Sequence, residues 1–385
     1  MSTKTREGIA YCLKVFLAVR VGLLVFGLVA VGLFPPLAPV SVPGWAAHPL
    51  PDPGWHIAFT SWERFDGLWF LRIAAEGYRS GDGSAAFFPL YPLAIRLVSW
   101  VIGGHPFAAS LIVSNLSFAA ALCVLYALTA SELSEGTART TVLFVALFPT
   151  SFFFYAPYSE SLFLLLVVTA FWGARNRRWA LAGIAGALAA LTRNVGVLMV
   201  PALIAEAVHQ RVERRGSALP GLAAGGVAGL GTLAYLAYWG TRTGDLLAPV
   251  HQQVNWERSA AWPWSTLNQG TAFAFRYLGN TNGGYWLIDW LIVVPMLAVS
   301  VYALYRFRPS YGLYLWGGLL VPLSFVFGDR PLMSMPRLLL PLFPAFWALA
   351  ELAERGRIPR TAVLAVEAAG LGLLAVLFVN WYYIF

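Results

Sequence analysis

Charged residues are scarce in this chain of 385 residues, where Asp, Glu, Lys and Arg together make up 11% of the sequence. Hydrophobic residues make up 59%, and the mean hydropathy is +0.67. A soluble fold of this size could not present an adequate polar surface to water with so few charges. The composition therefore excludes a wholly soluble protein and predicts that lipid is the solvent for much of the chain.

Cysteine is scarce as well, and the common metal and nucleotide motifs are missing. The two cysteines, Cys12 and Cys123, lie in separate apolar runs, where they form neither a disulfide framework nor a metal cluster. The histidines never take metal-ligand spacing, and the sequence has neither an Asp-x-Asp pair nor a Gly-x-x-x-x-Gly-Lys loop. We therefore expect no metal and no cofactor, and chemistry driven by ATP or a soluble nucleotide sugar is disfavoured.

Long apolar runs, in contrast, are abundant. A helix that spans the hydrocarbon core of a bilayer needs roughly 17 to 25 mostly apolar residues. About eleven stretches approach this length, and the shorter ones are expected to be tilted, broken or re-entrant. They cover approximately 9–33, 106–130, 140–158, 159–174, 179–192, 195–209, 218–240, 284–305, 311–327, 338–353 and 361–384. The predicted fold class is an all-α, polytopic integral membrane bundle.

Basic residues are concentrated in the short turns that follow every second apolar run. With a cytoplasmic N-terminus, alternation would place each of these turns in the cytoplasm, as the positive-inside rule requires. Their arginines are Arg139, Arg175, Arg177, Arg178, Arg211, Arg214, Arg215, Arg306, Arg308, Arg355, Arg357 and Arg360. These turns explain the formal net charge of +8 without a nucleic acid partner.

Two long polar segments, 34–105 and 241–283, would then be extracytoplasmic loops of a single transmembrane domain that covers 1–385. In the first loop, one face of a predicted helix carries apolar side chains at steps of three and four: Trp62, Phe65, Trp69 and Ile73. Such a helix, and the short apolar stretch 93–103 after it, are expected to lie along the membrane surface.

Three carboxylates in the predicted outer segments are candidates for chemistry. Glu63 and Asp66 are three positions apart, which would place them on one helix face, where a carboxylate could take a proton from an attacking hydroxyl. The alternative is that Asp66 caps a helix that starts at Gly67. Glu160 could orient a substrate hydroxyl, but an acidic residue in the first turn of a helix also complements the helix dipole.

Two arginines lie at the predicted outer edges of apolar runs. Arg193 and Arg337 could bind a lipid phosphate through the two-pronged geometry of the guanidinium group. Pro336 is expected to start a helix just before Arg337. The free backbone N–H groups in the first turn of that helix would also favour an anion. The alternative is that both arginines are anchors whose charged ends reach the membrane surface.

Six groups of residues, in order along most of the chain, resemble motifs of the PIG-V-type mannosyltransferases, which include the second mannosyltransferase of glycosylphosphatidylinositol assembly and prokaryotic relatives. The most specific groups are Tyr158–Phe163, with the sequence Tyr-Ser-Glu-Ser-Leu-Phe, and Phe87–Pro92. The complete set is Trp62–Tyr78, Phe87–Pro92, Phe148–Phe163, Thr192–Gly196, Gln253–Arg258 and Pro336–Pro344.

This resemblance implies a GT-C-type glycosyltransferase, a multi-helix membrane enzyme. Such an enzyme takes a sugar, here expected to be mannose, from a polyprenyl or dolichyl phosphate and transfers it to a hydroxyl of a lipid or glycan acceptor. The transfer is expected to take place on the extracytoplasmic side, to invert the anomeric configuration and to need no metal. Asp66 matches the family position of the candidate general base, although Phe65 stands where a tryptophan is common. Arg193 and Arg337 both lie in resembling groups and at the predicted outer membrane edge, so they are the best candidates to bind the donor phosphate.

Substrate contacts are expected from Glu63, Tyr158, Glu160, Gln253 and Trp256. The basic, short-looped chain favours a bacterial plasma membrane over the endoplasmic reticulum, and that location would disfavour a glycosylphosphatidylinositol acceptor. The competing hypothesis is a transporter or flippase of a lipid-linked saccharide. It would share the aromatic residues and arginines but would not need one indispensable carboxylate in an outer loop, and transporters often show paired halves, which this sequence lacks.

Overall fold

The computed structural model describes residues 3–46, 54–214, 216–252, 256–280 and 283–384. Within these ranges the chain forms seventeen α-helices, labelled α1 to α17 in chain order. They are Thr3–Leu33, Ile57–Thr60, Asp66–Glu76, Leu90–Val101, Pro106–Glu132, Glu135–Leu147, Glu160–Arg175, Trp179–Thr192, Met199–Val212, Leu219–Thr243, Ala248–His251, Pro263–Arg276, Gly283–Arg306, Pro309–Leu323, Met335–Leu338, Phe343–Glu354 and Arg360–Val379.

The remaining regular structure is short. Three 3-10 helices are found at Ser84–Ala86, Ser151–Phe154 and Asn194–Leu198. Strand β1 (Arg258–Ala260) pairs antiparallel with strand β2 (Phe325–Phe327). This small sheet is the departure from the all-α prediction. It arises because the end of the apolar run predicted over 311–327 is Phe-Val-Phe, a sequence with high strand propensity.

Six helices in the described part of the chain are long and apolar enough to cross a membrane. They are Thr5–Leu33, Pro106–Glu132, Asn194–Val212, Leu219–Thr243, Gly283–Arg306 and Arg360–Val379. The predicted class, a helical protein with several membrane spans, is therefore confirmed. The five other predicted spans correspond to α6, α7, α8, α14 and α16, which have 12 to 16 residues each. The total of about eleven spans stays a prediction.

Prolines account for two of the breaks in the predicted spans. Helix α6 ends at Leu147, close before Pro149, because proline removes a backbone donor and restricts the residue that precedes it. The predicted span over 338–353 is interrupted in the same way by Pro341, which lies between α15 and α16. Both interruptions leave irregular backbone where the sequence alone had indicated a continuous helix.

Contacts between Cα atoms divide the chain into two compact units. Unit 1 comprises Met1–Arg79, Phe87–Val168 and Ala350–Ile384. In this unit α1 packs against α5, α6 and α17, and the short helix α3 packs against α4 and α5. Its core is rich in aromatic rings, and Phe118 and Phe154, for example, are stacked with centroids 4.3 Å apart. Helix α3 is thus held in unit 1 by its contacts with α4 and α5.

Unit 2 comprises Ser80–Ala86 and Thr169–Leu349. Its first three helices, α8, α9 and α10, pack on one another through small residues. A Cβ atom on Gly183 would lie 3.0 Å from the Cα of Ala224, so the backbones of α8 and α10 approach each other closely. Later in the unit α14 packs against α9, α12 and α15.

Glu206 in α9 forms a buried ion-pair network in unit 2. Its carboxylate accepts hydrogen bonds from Arg175 Nη1 at 2.7 Å, Gln210 Nε2 at 2.8 Å and Ser310 Oγ at 2.7 Å. Arg308 Nη1 lies 4.0 Å from the same carboxylate. Arg175 and Arg308 belong to the basic turns that are predicted to face the cytoplasm. These two arginines therefore have a packing role besides any role in membrane orientation.

Candidate functional site

Asp66 is the first residue of α3 and is half-buried. Phe65 occupies the N-cap position, so the alternative in which Asp66 caps a helix starting at Gly67 is wrong. A carboxylate in the first turn of a helix is stabilised by the helix dipole. The structure therefore places Asp66 at the start of α3, in a partly accessible position.

Glu63 does not share a helix face with Asp66, contrary to the prediction, because residues 61–65 are not helical. The Glu63 carboxylate is buried and accepts a hydrogen bond of 3.0 Å from the indole Nε1 of Trp45. Trp62 is fully buried as well, with its ring near those of Phe152 and Phe378. The predicted interfacial helix is thus shorter than expected, and Trp62 packs inside unit 1 instead of against lipid.

Arg64 is buried and joins the loop before α3 to the end of α17. Its Nε donates to the carbonyl of Val379 at 3.0 Å, and its Nη1 donates to the carbonyls of Thr60 and Glu63 at 3.2 and 2.8 Å. The guanidinium carbon lies 4.5 Å from the ring centroid of Trp381. Burial lowers the pKa of Arg64 to about 9, so the side chain stays charged at neutral pH.

Phe65, the residue directly before Asp66, has an unusual backbone conformation with φ 50° and ψ −122°. A non-glycine residue in such a sparsely populated region costs of order 1–3 kcal/mol. The ring of Phe65 lies 5.6, 5.3 and 5.4 Å from the rings of Phe378, Trp381 and Tyr383. Each aromatic pair contributes roughly 0.5–1.5 kcal/mol beyond the burial of its area, so these three contacts can offset the strain.

The motif around Tyr158 packs directly on the start of α3. The hydroxyl of Tyr158 donates a hydrogen bond of 3.1 Å to the carbonyl of Arg64. A Cβ atom on Gly67 would lie 3.3 Å from the carbonyl oxygen of Pro157, a tight approach for which glycine leaves room. Two motifs that are far apart in the sequence are therefore in contact beside Asp66.

Glu160 is the first residue of α7 and is fully buried. Burial, and to a smaller extent the nearby Glu160 carboxylate, raises the pKa of the Tyr91 hydroxyl well above its usual value. The same hydroxyl makes a hydrogen bond of 2.7 Å with Ser114 Oγ, which in turn donates to the carbonyl of Tyr158. Glu160 is thus beside a chain of polar groups, and it also occupies the first turn of α7, where it complements the helix dipole.

The motif Phe87–Pro92 covers the other side of α3. The ring of Phe87 is stacked on Trp69 with centroids 5.5 Å apart, and Phe70 meets both Phe87 and Tyr91 edge to face. The hydroxyl of Tyr78 donates to the carbonyl of Phe87 at 2.7 Å. Unit 1 therefore brings together the two most specific groups of the family resemblance and the group Trp62–Tyr78, which contains Asp66.

Arg193 and Arg337 both lie in unit 2, next to α14. Arg193 is the extended residue that follows α8, and its guanidinium is close enough to the Tyr314 hydroxyl to interact with it electrostatically. The hydroxyl of Tyr314 donates a hydrogen bond of 3.0 Å to the carbonyl of Pro341. The short helix α15, which contains Arg337, also packs against α14. Both residues remain candidates for binding an anion.

Pro336 was expected to start a helix with free backbone N–H groups beside Arg337, but α15 is a single turn of four residues, Met335–Leu338. The preceding residue, Ser334, has a positive φ of 67° that separates this turn from the chain before it. The backbone N–H groups of Arg337 and Leu338 are not free, because they donate to the carbonyl of Ser334 at 3.1 and 3.0 Å. Any phosphate binding here would depend on the guanidinium itself.

Trp256 is half-buried in unit 2, and its indole Nε1 would lie 3.5 Å from a Cβ atom on Gly83. The nearby Gln252 accepts a hydrogen bond from the backbone N–H of Ala85 at 3.3 Å. The polar segment 241–283 therefore packs on residues that follow α3 in the sequence. Gln253, the other predicted substrate contact in this segment, lies outside the described residues.

Asp289 and Arg330 form a buried ion pair in unit 2 to which the sequence analysis assigned no role. Arg330 Nε and Nη2 donate to the two carboxylate oxygens at 2.6 and 2.8 Å. Asp289 lies within the apolar run of α13, and a charge in such a run needs a partner, so its position could have indicated a buried ion pair. Within the described ranges, no three His, Cys, Asp or Glu side chains are grouped closely enough to hold a metal ion.

Comparison with protein families gives a match over less than half of the chain. The family model described as Mannosyltransferase (PIG-V) matches residues 39–214. This range includes the loop before α3, the Phe87–Pro92 and Tyr158–Phe163 motifs and Arg193. It does not include Trp256 or Arg337. No curated protein matches the sequence at a significant level.

Comparison with solved structures gives the fold. The crystal structure of ArnT from Cupriavidus metallidurans bound to undecaprenyl phosphate is similar with a TM-score of 0.51, at 14% identity, over 85% of this chain and 74% of ArnT. The archaeal oligosaccharyltransferase AglB from Archaeoglobus fulgidus is similar with a TM-score of 0.45, at 11% identity, over 96% of this chain and 55% of AglB. At such low identity the likeness to ArnT shows a shared fold alone.

The family match and the fold agree with the resemblance noted in the motifs. The match contains the half-buried carboxylate of Asp66 and the two motifs that pack around it. The candidate site is therefore built mainly from the matched residues. Residues 39–214 match the PIG-V mannosyltransferase family model, and the chain combines several helices able to span a membrane with a fold shared by ArnT.

Proposed function

We propose that this protein transfers mannose from a polyprenyl or dolichyl phosphate to a hydroxyl of a lipid or glycan acceptor. The observation that carries the proposal is the position of Asp66 inside the family-matched segment. Asp66 is half-buried at the start of α3, directly after a loop that Tyr158 and the end of α17 hold in place. A general base needs this combination of a defined position and access to substrate. ArnT, which shares the fold, was solved with undecaprenyl phosphate, and this supports a lipid-phosphate donor.

In the proposed reaction, the Asp66 carboxylate accepts the proton of the acceptor hydroxyl as its oxygen attacks the anomeric carbon of the sugar. The bond between that carbon and the phosphate oxygen breaks, and the lipid phosphate leaves with the bonding electron pair. Attack from the side opposite the leaving group inverts the anomeric configuration. No metal ion enters this scheme, because guanidinium groups can neutralise the leaving phosphate.

Arg193 and Arg337 are the proposed ligands of the leaving phosphate. A planar guanidinium donates two parallel hydrogen bonds to phosphate oxygens, and lysine cannot reproduce this geometry. Glu160, Tyr158 and Glu63 are proposed to shape the substrate site in unit 1. Trp256 and Gln253 are proposed to contribute from the polar segment 241–283. Each of these roles is an inference from residue chemistry and position.

The site is proposed to face the extracytoplasmic side of the membrane, which we expect to be a bacterial plasma membrane. The support is the concentration of arginines in the turns that would face the cytoplasm. Lipid-phosphate sugars that have been moved across the membrane are donors that need no soluble nucleotide on that side.

The direct test uses purified protein, polyprenyl phosphate carrying radiolabelled mannose, and a lipid extract of the membrane, with and without EDTA. We expect a labelled product that forms equally well in EDTA and whose sugar linkage is inverted relative to the donor. Efficient transfer from GDP-mannose in the absence of lipid would contradict the proposed donor. Movement of the labelled donor across vesicles without any new product would favour a transporter or flippase instead.

A further inference from the structure

We infer that the segment 378–383, at and just beyond the end of α17, is a clamp that holds Phe65 in its strained conformation and so positions Asp66. This segment is called the C-terminal clamp below. The inference rests on the proposed role of Asp66 as the general base. The clamp residues would be positioning residues, because they act on Asp66 through its neighbours in the chain, chiefly Phe65 and Arg64.

Contacts with the clamp fix both residues that precede Asp66. The ring of Phe65 lies among Phe378, Trp381 and Tyr383, at centroid distances between 5.3 and 5.6 Å. Arg64 donates through Nε to the carbonyl of Val379, and its guanidinium lies over the ring of Trp381. The clamp therefore contacts the ring of Phe65 and the guanidinium group of Arg64.

Strain at Phe65 gives these contacts a consequence for Asp66. An L-residue with φ 50° and ψ −122° is held there by its surroundings, because its own backbone preferences oppose the conformation. Since α3 starts at Asp66, any relaxation of the Phe65 dihedral angles would turn the first residue of α3 relative to Arg64. The clamp therefore controls the direction in which the Asp66 carboxylate points.

The clamp is itself well anchored within unit 1. The backbone N–H of Leu37 donates to the carbonyl of Asn380 at 3.0 Å. The side-chain amide of Asn380 donates to the carbonyls of Ala30 and Val376 at 3.3 and 3.0 Å. Trp381 is buried and packs in a small cluster with Val42 and Leu68. The rings that meet Phe65 are thus attached to the ends of α1 and α17 and can resist its relaxation.

The first experiment replaces the central ring of the clamp. Trp381→Ala should lower kcat roughly 10- to 100-fold, the usual effect of a small misplacement of a reacting group, while the KM for the lipid donor changes little. Trp381→Phe retains a ring beside Phe65 and Arg64 and should restore part of the loss. The matched control is Tyr126→Ala, which removes a ring packed on Tyr11 in the same unit. The control should lower thermal stability and leave kcat per folded enzyme unchanged.

A double-mutant cycle separates positioning from general stability. If the clamp acts through Asp66, Trp381→Ala should have almost no further effect on turnover in the Asp66→Asn background. Additive losses in the double variant, or a fall in kcat in Tyr126→Ala as large as that in Trp381→Ala, would overturn the inference.

Hydrogen exchange measures the clamp without using activity. In detergent-solubilised full-length protein, Trp381→Ala should speed amide exchange over 64–70 relative to the wild type, and Tyr126→Ala should not. Unchanged exchange over 64–70 in Trp381→Ala would overturn the clamp whatever the role of Asp66. If Asp66→Asn alone retains full activity, the general base is wrongly assigned, and the exchange measurement still decides whether 378–383 holds the loop.

Discussion

The hydroxyl of Tyr158 donates a hydrogen bond of 3.1 Å to the backbone carbonyl of Arg64, two positions before Asp66. This bond joins the Tyr158–Phe163 motif to the loop that carries the candidate base. The same carbonyl also accepts the backbone N–H of Gly67 at 3.0 Å, so it would keep one partner without Tyr158. The main effect of the Tyr158 bond is therefore to hold the loop in position, because the carbonyl of Arg64 would remain hydrogen-bonded without it.

Tyr158→Phe should therefore have a modest effect on stability and a larger one on catalysis. We expect a loss of about 0.5–1.5 kcal/mol in stability, the usual value of one hydrogen bond. Turnover should fall by up to roughly tenfold, with donor affinity retained. The control is Tyr155→Phe, since the buried Tyr155 hydroxyl has no hydrogen-bond partner among the described residues. Equal turnover in the two variants would separate Tyr158 from catalysis.

Membrane orientation can be measured by cysteine labelling. Ser80 and Ser217 are both exposed, and the proposed topology places them on opposite sides of the membrane. In a background without Cys12 and Cys123, an impermeant maleimide added to intact cells should label a cysteine at Ser80 and not one at Ser217. The reverse pattern would place the site on the cytoplasmic side.

The buried network around Glu206 should be important for stability and separable from catalysis. Glu206→Ala leaves Arg175 without its partner at 2.7 Å, and breaking a buried ion pair in this way typically costs about 3–5 kcal/mol. We expect a much lower denaturation temperature but unchanged donor affinity in the protein that stays folded. Glu351→Ala provides the comparison, because Arg355, its ion-pair partner, is about half exposed and the loss should be smaller. Equal losses in the two variants would argue against a special role for the Glu206 network.

The phosphate-binding role of Arg193 and Arg337 can be distinguished from membrane anchoring by paired substitutions. If a guanidinium holds the phosphate, lysine should restore only part of donor affinity and glutamine should lose more. An anchoring arginine would accept lysine fully, and glutamine would then reduce expression or thermal stability instead. Normal donor affinity and turnover in both glutamine variants would exclude these two residues and direct attention to Arg64, Arg72 and Arg258.

The sequence predicted the class of fold because composition and the length of apolar runs are properties of the chain itself. It could not predict where α3 begins. The spacing of Trp62, Phe65 and Trp69 suits a helix, but Trp62 is instead buried against Phe152 and Phe378. Contacts between residues so distant in the chain leave no local pattern in the sequence.

The same limit applies to the candidate site. Asp66, Tyr158 and Glu160 could be identified because they stand in recognisable motifs, and the structure brings those motifs together in unit 1. The clamp could not be identified, because Arg64 meets Val379 across a separation of 315 positions. Asp289 carried a usable signal, a carboxylate in an apolar run, but only the structure shows Arg330 as its partner.

The most direct test of the account is the effect of Asp66→Asn on turnover in purified protein. Asparagine keeps the size of the side chain and removes the group that accepts a proton. Donor affinity and thermal stability should be measured on the same preparation. With mannosyl polyprenyl phosphate as donor, we predict a folded, donor-binding protein whose turnover is lower by about two to four orders of magnitude, the usual contribution of a general base. Retention of most of the turnover would contradict the account and make Glu63 the next candidate.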